Sequence, residues 1–146
     1  MKVSFDTTPD IENMAIKIFR KEVSFSSNND ILIYEKVHRN VKIIYYLKLV
    51  SVPPSDLSGI ELNLCLDTGE IWIGALHVSA SFRSNGIGRQ LVRAAEEVAR
   101  SIDFKNINIF PLKPSQSFWL KMGFQPHHCT VRVLSKSLNN HYHFRN

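Results

Sequence analysis

Leu76-His77-Val78-Ser79-Ala80-Ser81-Phe82-Arg83-Ser84-Asn85-Gly86-Ile87-Gly88-Arg89-Gln90-Leu91 is the stretch on which the reading of this chain turns. It starts inside an apolar run, Glu70 to Val78, crosses a short polar loop holding two glycines, and ends on a helix. The helix is the clearest in the chain: Ile87, Leu91, Ala95, Val98 and Ile102 form one apolar stripe, and Arg89, Gln90, Arg93, Glu96, Glu97 and Arg100 take the other faces. Glycine has no Cβ, so the backbone can come close to an anion, and the first N–H groups of a helix point outward at the positive end of its dipole. Such a loop can cradle a pyrophosphate. Arg89 and Arg93 sit in the first turns, where a positive charge opposes the dipole by roughly 0.3 to 1 kcal/mol each unless an anion is bound there. A plain glycine turn has the same spacing, so the loop alone leaves both readings open.

Outward from this stretch, Lys2 to Phe5 reads as a short strand, and Thr8 before Pro9 starts a helix in which Ile11, Met14, Ala15, Ile18 and Phe19 recur at helical spacing up to Lys21. Ser24 to Asp30 is a polar loop. Ile31 to Lys36, Val41 to Leu49 and Ile60 to Leu66 are rich in β-branched and aromatic residues and read as strands, the last two separated by Pro53 and Pro54. Asp67-Thr68-Gly69 has hairpin-turn chemistry and leads into Glu70 to Val78, whose apolar run suggests a strand buried on both faces. Asn106 to Phe110 reads as a strand, Pro114 to Met122 as a short helix, and Phe124 to Leu134 as strand material before a polar tail. Strand and helix alternate in the back half, which argues for an α/β or α+β sheet.

The chain has 146 residues, suited to one domain spanning 1–146, with 44% hydrophobic and 21% charged residues. Eighteen Lys and Arg against thirteen Asp and Glu give a net charge of +5, a surface that attracts anions, for which coenzyme A, nucleic acid and acidic membranes all qualify. Cys65 and Cys129 are too few for a disulfide scaffold or a multi-cysteine zinc site, and point to a reduced cytoplasmic setting. Residues 1–10 lack the apolar core of a signal peptide, and the longest apolar run, Ile43 to Val52, is short and broken by Lys48, so no membrane segment is expected.

The quoted stretch resembles the acetyl-coenzyme A motif of the GNAT superfamily: a Leu-x-Val strand, a loop of Arg or Gln, two residues, Gly, one residue, then Gly or Ala, and a helix. A second segment, Phe118-Trp119-Leu120-Lys121-Met122-Gly123-Phe124, is similar to the family's Phe-Tyr-x-Lys-x-Gly-Phe signature. The two matches span Glu70 to Phe124, and no motif of the family is recognised upstream of them. The resemblance implies a GNAT-like mixed, mostly antiparallel sheet with helices on both faces, splayed where Glu70 to Val78 meets Asn106 to Phe110.

It also implies an acyl-CoA-dependent N-acetyltransferase in which an acceptor amine attacks the thioester directly, without a metal. Leu76 and Val78 would pair with the pantetheine arm, the Leu76 N–H would polarise the acyl carbonyl, and the backbone of Arg83, Ser84, Asn85, Gly86, Ile87, Gly88 and Arg89 would hold the pyrophosphate. Trp119 would also border the cofactor, but it replaces the tyrosine that often supplies the family's acid. The thiolate then leaves unaided, or Ser115 or Ser117 substitutes, or catalysis is slow or absent. Family members that carry a base on the central strand place it where this chain has Trp72 and Gly74, neither of which accepts a proton. Glu70 is the first choice as base, with Glu61, Asp67 and His77 in reserve. Trp72 and Gly74 would shape the acceptor pocket, a flat apolar wall beside open space.

His127, His128 and Cys129, with His141 and His143, invite a metal reading, but neighbours on a strand point to opposite faces and cannot converge on one ion without a bulge. The basic residues are scattered, which disfavours a nucleic-acid binder. An acyl-CoA-binding regulatory protein that kept the cradle and lost catalysis is the alternative to an enzyme, and a homodimer is left open.

Overall fold

Ile11, Ala15 and Phe19 recur at helical spacing and are buried, so the first helix presents one apolar stripe to the rest of the chain. The computed structural model describes residues 8–24, 30–48, 57–80, 83, 85–127 and 130–138. Its elements are α1 (Thr8–Glu22), β1 (Asp30–Val37), β2 (Asn40–Leu47), β3 (Ser58–Cys65), β4 (Glu70–His77), α2 (Ile87–Ser101), β5 (Asn106–Ile109), a 3-10 turn (Lys113–Ser115) running into α3 (Gln116–Lys121), β6 (Gln125–His127) and β7 (Thr130–Ser137). The expected strand at Lys2 to Phe5 lies outside the described residues.

The strands form one seven-stranded sheet in the order β1-β2-β3-β4-β5-β7-β6. Every adjacent pair is antiparallel except β4 and β5, which run parallel because α2 crosses over between them. This is the mixed, mostly antiparallel, helix-flanked sheet implied by the resemblance. The turn at Asp67-Thr68-Gly69 joins β3 to β4 as expected, with Gly69 at φ 73° and its N–H donating to the Cys65 carbonyl at 2.9 Å. The stretch Phe124 to Leu134 does not run as one strand: β6 and β7 fold back on each other, and β7 continues to Ser137.

One face of the sheet is apolar. Val41, Ile43, Tyr45 and Leu47 of β2, Ile60, Leu62 and Leu64 of β3, and Ile71 and Ile73 of β4 are all buried there. Helices α1 and α2 pack together on that face, with Phe19 stacked on Tyr45 at 4.3 Å between ring centroids. Arg20 ties α1 to β1 by pairing with Asp30 at 3.0 Å, and the Tyr45 hydroxyl donates to the same carboxylate at 2.9 Å.

The other face is a correction to the sequence reading, because β4 is not buried on both sides. Trp72 is half-buried, and Gly74 and Ala75 are exposed. Across this outer face the register sets Trp72, Asn63, Lys42 and Glu35 in one row over four strands. An apolar run in a sequence does not distinguish a doubly covered strand from one whose outer face is an open wall of Trp, Gly and Ala.

Strand β4 also carries an irregularity. Leu62 pairs with Ile73, but the next residue of β3, Glu61, pairs with Ala75, so Gly74 is the extra residue of a β-bulge. The bulge shifts the alternation by one, putting both Trp72 and Ala75 on the outer face.

Candidate active site

Strands β4 and β5 pair from Glu70 opposite Asn106 to Ile73 opposite Ile109, and there the pairing ends. Beyond it the two strands part around a cavity of about 1120 Å³. Its β4 wall is Gly74 to Val78, its β5 wall is Ile109 to Leu112, and Ser115, Phe118 and Trp119 border it from the following segment. One end is closed by Arg83, Gly86, Gly88 and Arg89 at the start of α2. The volume lies just above the usual range for small-molecule sites.

The α2 end of the cavity presents hydrogen-bond donors and positive charge. No side chain caps the helix, its first turn contains no acidic residue, and the first backbone bond of the turn is Gln90 N–H to the Gly86 carbonyl at 3.0 Å. The N–H groups of Ile87, Gly88 and Arg89 therefore precede the intrahelical ladder. Gly86 is left-handed at φ 77°, with open space where a Cβ would stand, so backbone conformation is what selects glycine there. At Gly88 the reason is proximity: a Cβ would lie 3.3 Å from Val78 Cγ2 and 3.7 Å from the Phe118 ring. Arg83 donates through Nε to the Val78 carbonyl at 3.1 Å, which folds the loop back over the end of β4. Among the described lining residues the charged side chains are Arg83 and Arg89, and no carboxylate is present.

Leu76, Val78, Arg83, Gly86, Gly88, Arg89 and Trp119 of the sequence-derived set come together in this cavity. The Ile87 side chain is buried in the core, so only its backbone can face a ligand, and Asn85 is exposed outside the lining. Ser84 lies outside the described residues. Trp119 is 3% exposed and makes edge contacts with Phe118 and Phe124 at 5.0 and 5.2 Å. Ser115 lines the cavity, but its hydroxyl donates to the Leu112 carbonyl at 2.9 Å, and Ser117 is exposed outside the lining.

Two expectations are not met by this geometry. Glu70, the first choice as base, begins β4 between Cys65 and Asn106 at the paired end of the strand, away from the cavity. Trp72 does not share a pocket with Gly74: it lines a separate cavity of about 490 Å³ on the outer face, with Glu35, Lys42, Asn63 and Cys65. The bulge at Gly74 separates them, and no residue pattern in β4 announces it.

Glu61, held in reserve as a base, and Asn63, which carried no expectation, are brought together by the fold. Both stand beside Gly74 on the outer face, and Asn63 Nδ2 donates to Glu61 Oε2 at 3.2 Å. Their alternation on a strand next to β4 was visible, but the register that brings them to the bulge was not.

Among the described residues no group of three or more His, Cys, Asp and Glu could hold a metal ion. His128, Cys129, His141 and His143 lie outside them. No described helix is long and apolar enough to cross a membrane.

Several solved structures share this fold but little sequence. A GNAT-family acetyltransferase from Staphylococcus aureus Mu50 matches at 15% identity over 95% of this chain and 82% of its own, with a TM-score of 0.52. Tetrahymena GCN5 matches at 10% identity over 70% of this chain and 71% of its own, with a TM-score of 0.55. Nourseothricin acetyltransferase matches at 14% identity over 76% and 85%, with a TM-score of 0.52. At these identities the likeness is one of fold. Among curated proteins none matches this chain. The model of the acetyltransferase (GNAT) family matches residues 27–124, two thirds of the sequence, including both walls of the cavity and the uncapped helix start. The chain belongs to the acetyltransferase (GNAT) family.

Proposed function

We propose that this protein transfers the acetyl group of acetyl-CoA to a primary amine by direct attack. The observation that carries the reading is an uncapped helix start, flanked by Arg83 and Arg89, at one end of a cavity that opens where β4 and β5 part. The N–H groups of Ile87, Gly88 and Arg89, with the two guanidinium groups, fit a diphosphate. The exposed apolar side chains of Phe110 and Leu112 fit the slender arm between the diphosphate and the thioester.

Beyond Ile73 the β5-facing edge of β4 has no strand beside it, which frees that edge for a ligand's amides and for the acyl carbonyl. The Leu76 N–H takes the carbonyl, where it stabilises charge that grows as the amine attacks. The indole of Trp119 cannot replace a phenolic acid, and the Ser115 hydroxyl is committed to a backbone carbonyl. The thiolate therefore leaves without a protein acid, as a leaving group of modest basicity can.

The test is steady release of free thiol from acetyl-CoA in the presence of a panel of amines, compared with Gly86→Glu. Glutamate at that left-handed position brings strain and a negative charge to the anion site. Release that depends on an amine and is abolished in the variant supports the enzyme. Tight binding of acetyl-CoA without turnover for any amine selects a coenzyme-binding regulator instead.

A further inference from the structure

The gap at Gly74 points to how the acceptor is held. A Cβ on Gly74 would lie 2.7 Å from Asn63 Nδ2 and 2.8 Å from Glu61 Oε2, so the bare glycine is what lets a carboxylate rest against the bulge. Gly74 and Ala75 also line the large cavity, and Ala75 is the register partner of Glu61. The carboxylate thus stands directly behind the stretch of β4 that borders the acyl end of the cleft. Asn63 holds it there through its hydrogen bond at 3.2 Å. Asn63 also lines the second cavity, so the outer-face hollow that contains Trp72 runs up to this pair.

We infer that the acceptor lies along the outer face of the sheet, its body against Trp72, with its ammonium on Glu61, which takes the proton before attack. This rests on the acetyl transfer proposed above. The acceptor class is a primary alkylamine with an apolar or aromatic body. A seated acceptor displaces water from the pair and brings its nitrogen within hydrogen-bond reach of the carboxylate, the contact that proton transfer requires. The ammonium gives one proton to the Glu61 carboxylate. The freed amine's lone pair forms the bond to the acyl carbon, and the carbon–sulfur bond breaks with its electron pair on sulfur. The second nitrogen proton goes to the thiolate, and Glu61 returns the first to solvent.

Glu61→Gln tests this, because the amide keeps the side chain's shape and can still accept the Asn63 bond. The measurements are the affinity for acetyl-CoA and the pH profile of thiol release with tyramine, 2-phenylethylamine and spermidine. The expected result is unchanged acetyl-CoA affinity, a drop of about 100-fold in kcat/KM for the best amine, and loss of the acid-side fall that follows a carboxylate's titration. Trp72→Ala is expected to raise KM for the aromatic amines with little change in kcat. If Glu61→Gln keeps both the rate and the acid-side fall, Glu61 has no such role and the acetyltransferase reading stands without it. Wild type that binds acetyl-CoA but releases no thiol above the rate with water also overturns the inference. Failure of wild type to bind acetyl-CoA removes the proposed function itself.

Discussion

Gly74 and Glu61 meet across the β4 bulge with no room for a methyl group between them, since a Cβ on the glycine would lie 2.8 Å from Oε2. Gly74→Ala must push away Glu61, Asn63 or the bulge itself. The atoms in the way are the ends of two flexible side chains on an exposed face, so they can move aside at little cost in stability. The expected outcome is a fall in turnover of at least about tenfold from a displaced carboxylate, with acetyl-CoA affinity nearly unchanged, because the anion end of the cleft is remote from the substitution. Titration calorimetry alongside thiol release checks it.

Trp119 occupies the family's tyrosine position yet is packed by Phe118 and Phe124 and almost fully buried. If it is structural, Trp119→Phe should keep turnover within about threefold while lowering stability by roughly 1 to 2 kcal/mol through the smaller ring. Steady-state rates and chemical denaturation separate the two effects. A collapse in rate with acetyl-CoA affinity intact would make the indole part of the chemistry.

Lys136 on β7 joins two helices: its Nζ donates to Glu96 Oε2 on α2 at 3.0 Å and to the Met122 carbonyl after α3 at 2.9 Å. Glu96 is only 4% exposed, and Arg100 is a weaker second partner at 3.7 Å. Lys136→Met leaves a buried carboxylate poorly paired, and with Arg100 still present the expected loss is about 2 kcal/mol. Adding Glu96→Gln should recover part of it, and urea denaturation of the single and double variants gives the coupling.

Asp30 is held below the usual carboxylate range. Burial alone would raise it, but the hydrogen bonds from Arg20 and Tyr45 outweigh that effect. A carboxyl depressed in the folded state adds stability that is full above its unfolded value of about 3.9 and is lost as pH falls through the lower folded value. Asp30→Asn should therefore lower stability at neutral pH by roughly 1 to 2 kcal/mol and converge with wild type in strong acid. Thermal melts between pH 7 and pH 2 follow the convergence.

The strand and helix order was legible because each long element carries its own periodicity: the stripe from Ile87 to Ile102 sets the crossover helix, and the turn at Gly69 sets the β3–β4 hairpin. The uncapped helix start bordering the cleft was legible too, since Gly86 and Gly88 act through local backbone geometry. What could not be read was register. Leu62 pairs with Ile73 while Glu61 pairs with Ala75, a slip that brings Glu61 to Gly74, and pairing with Asn108 of β5 keeps Trp72 out of the main cavity. Glu70, the first choice as base, lies at the paired end of β4, opposite Asn106 and away from the splay. Side-chain alternation gives faces, whereas cross-strand alignment depends on turns and bulges that single residues do not declare.

Whether the start of α2 holds the diphosphate of acetyl-CoA is decided by a thermal-shift comparison of wild type with Gly86→Glu. At 100 times the dissociation constant acetyl-CoA should stabilise wild type by roughly 2.7 kcal/mol, a rise in Tm of roughly 5 to 10 °C, and the variant should show almost none of it. An equal shift in both proteins, or none in wild type, would contradict the account.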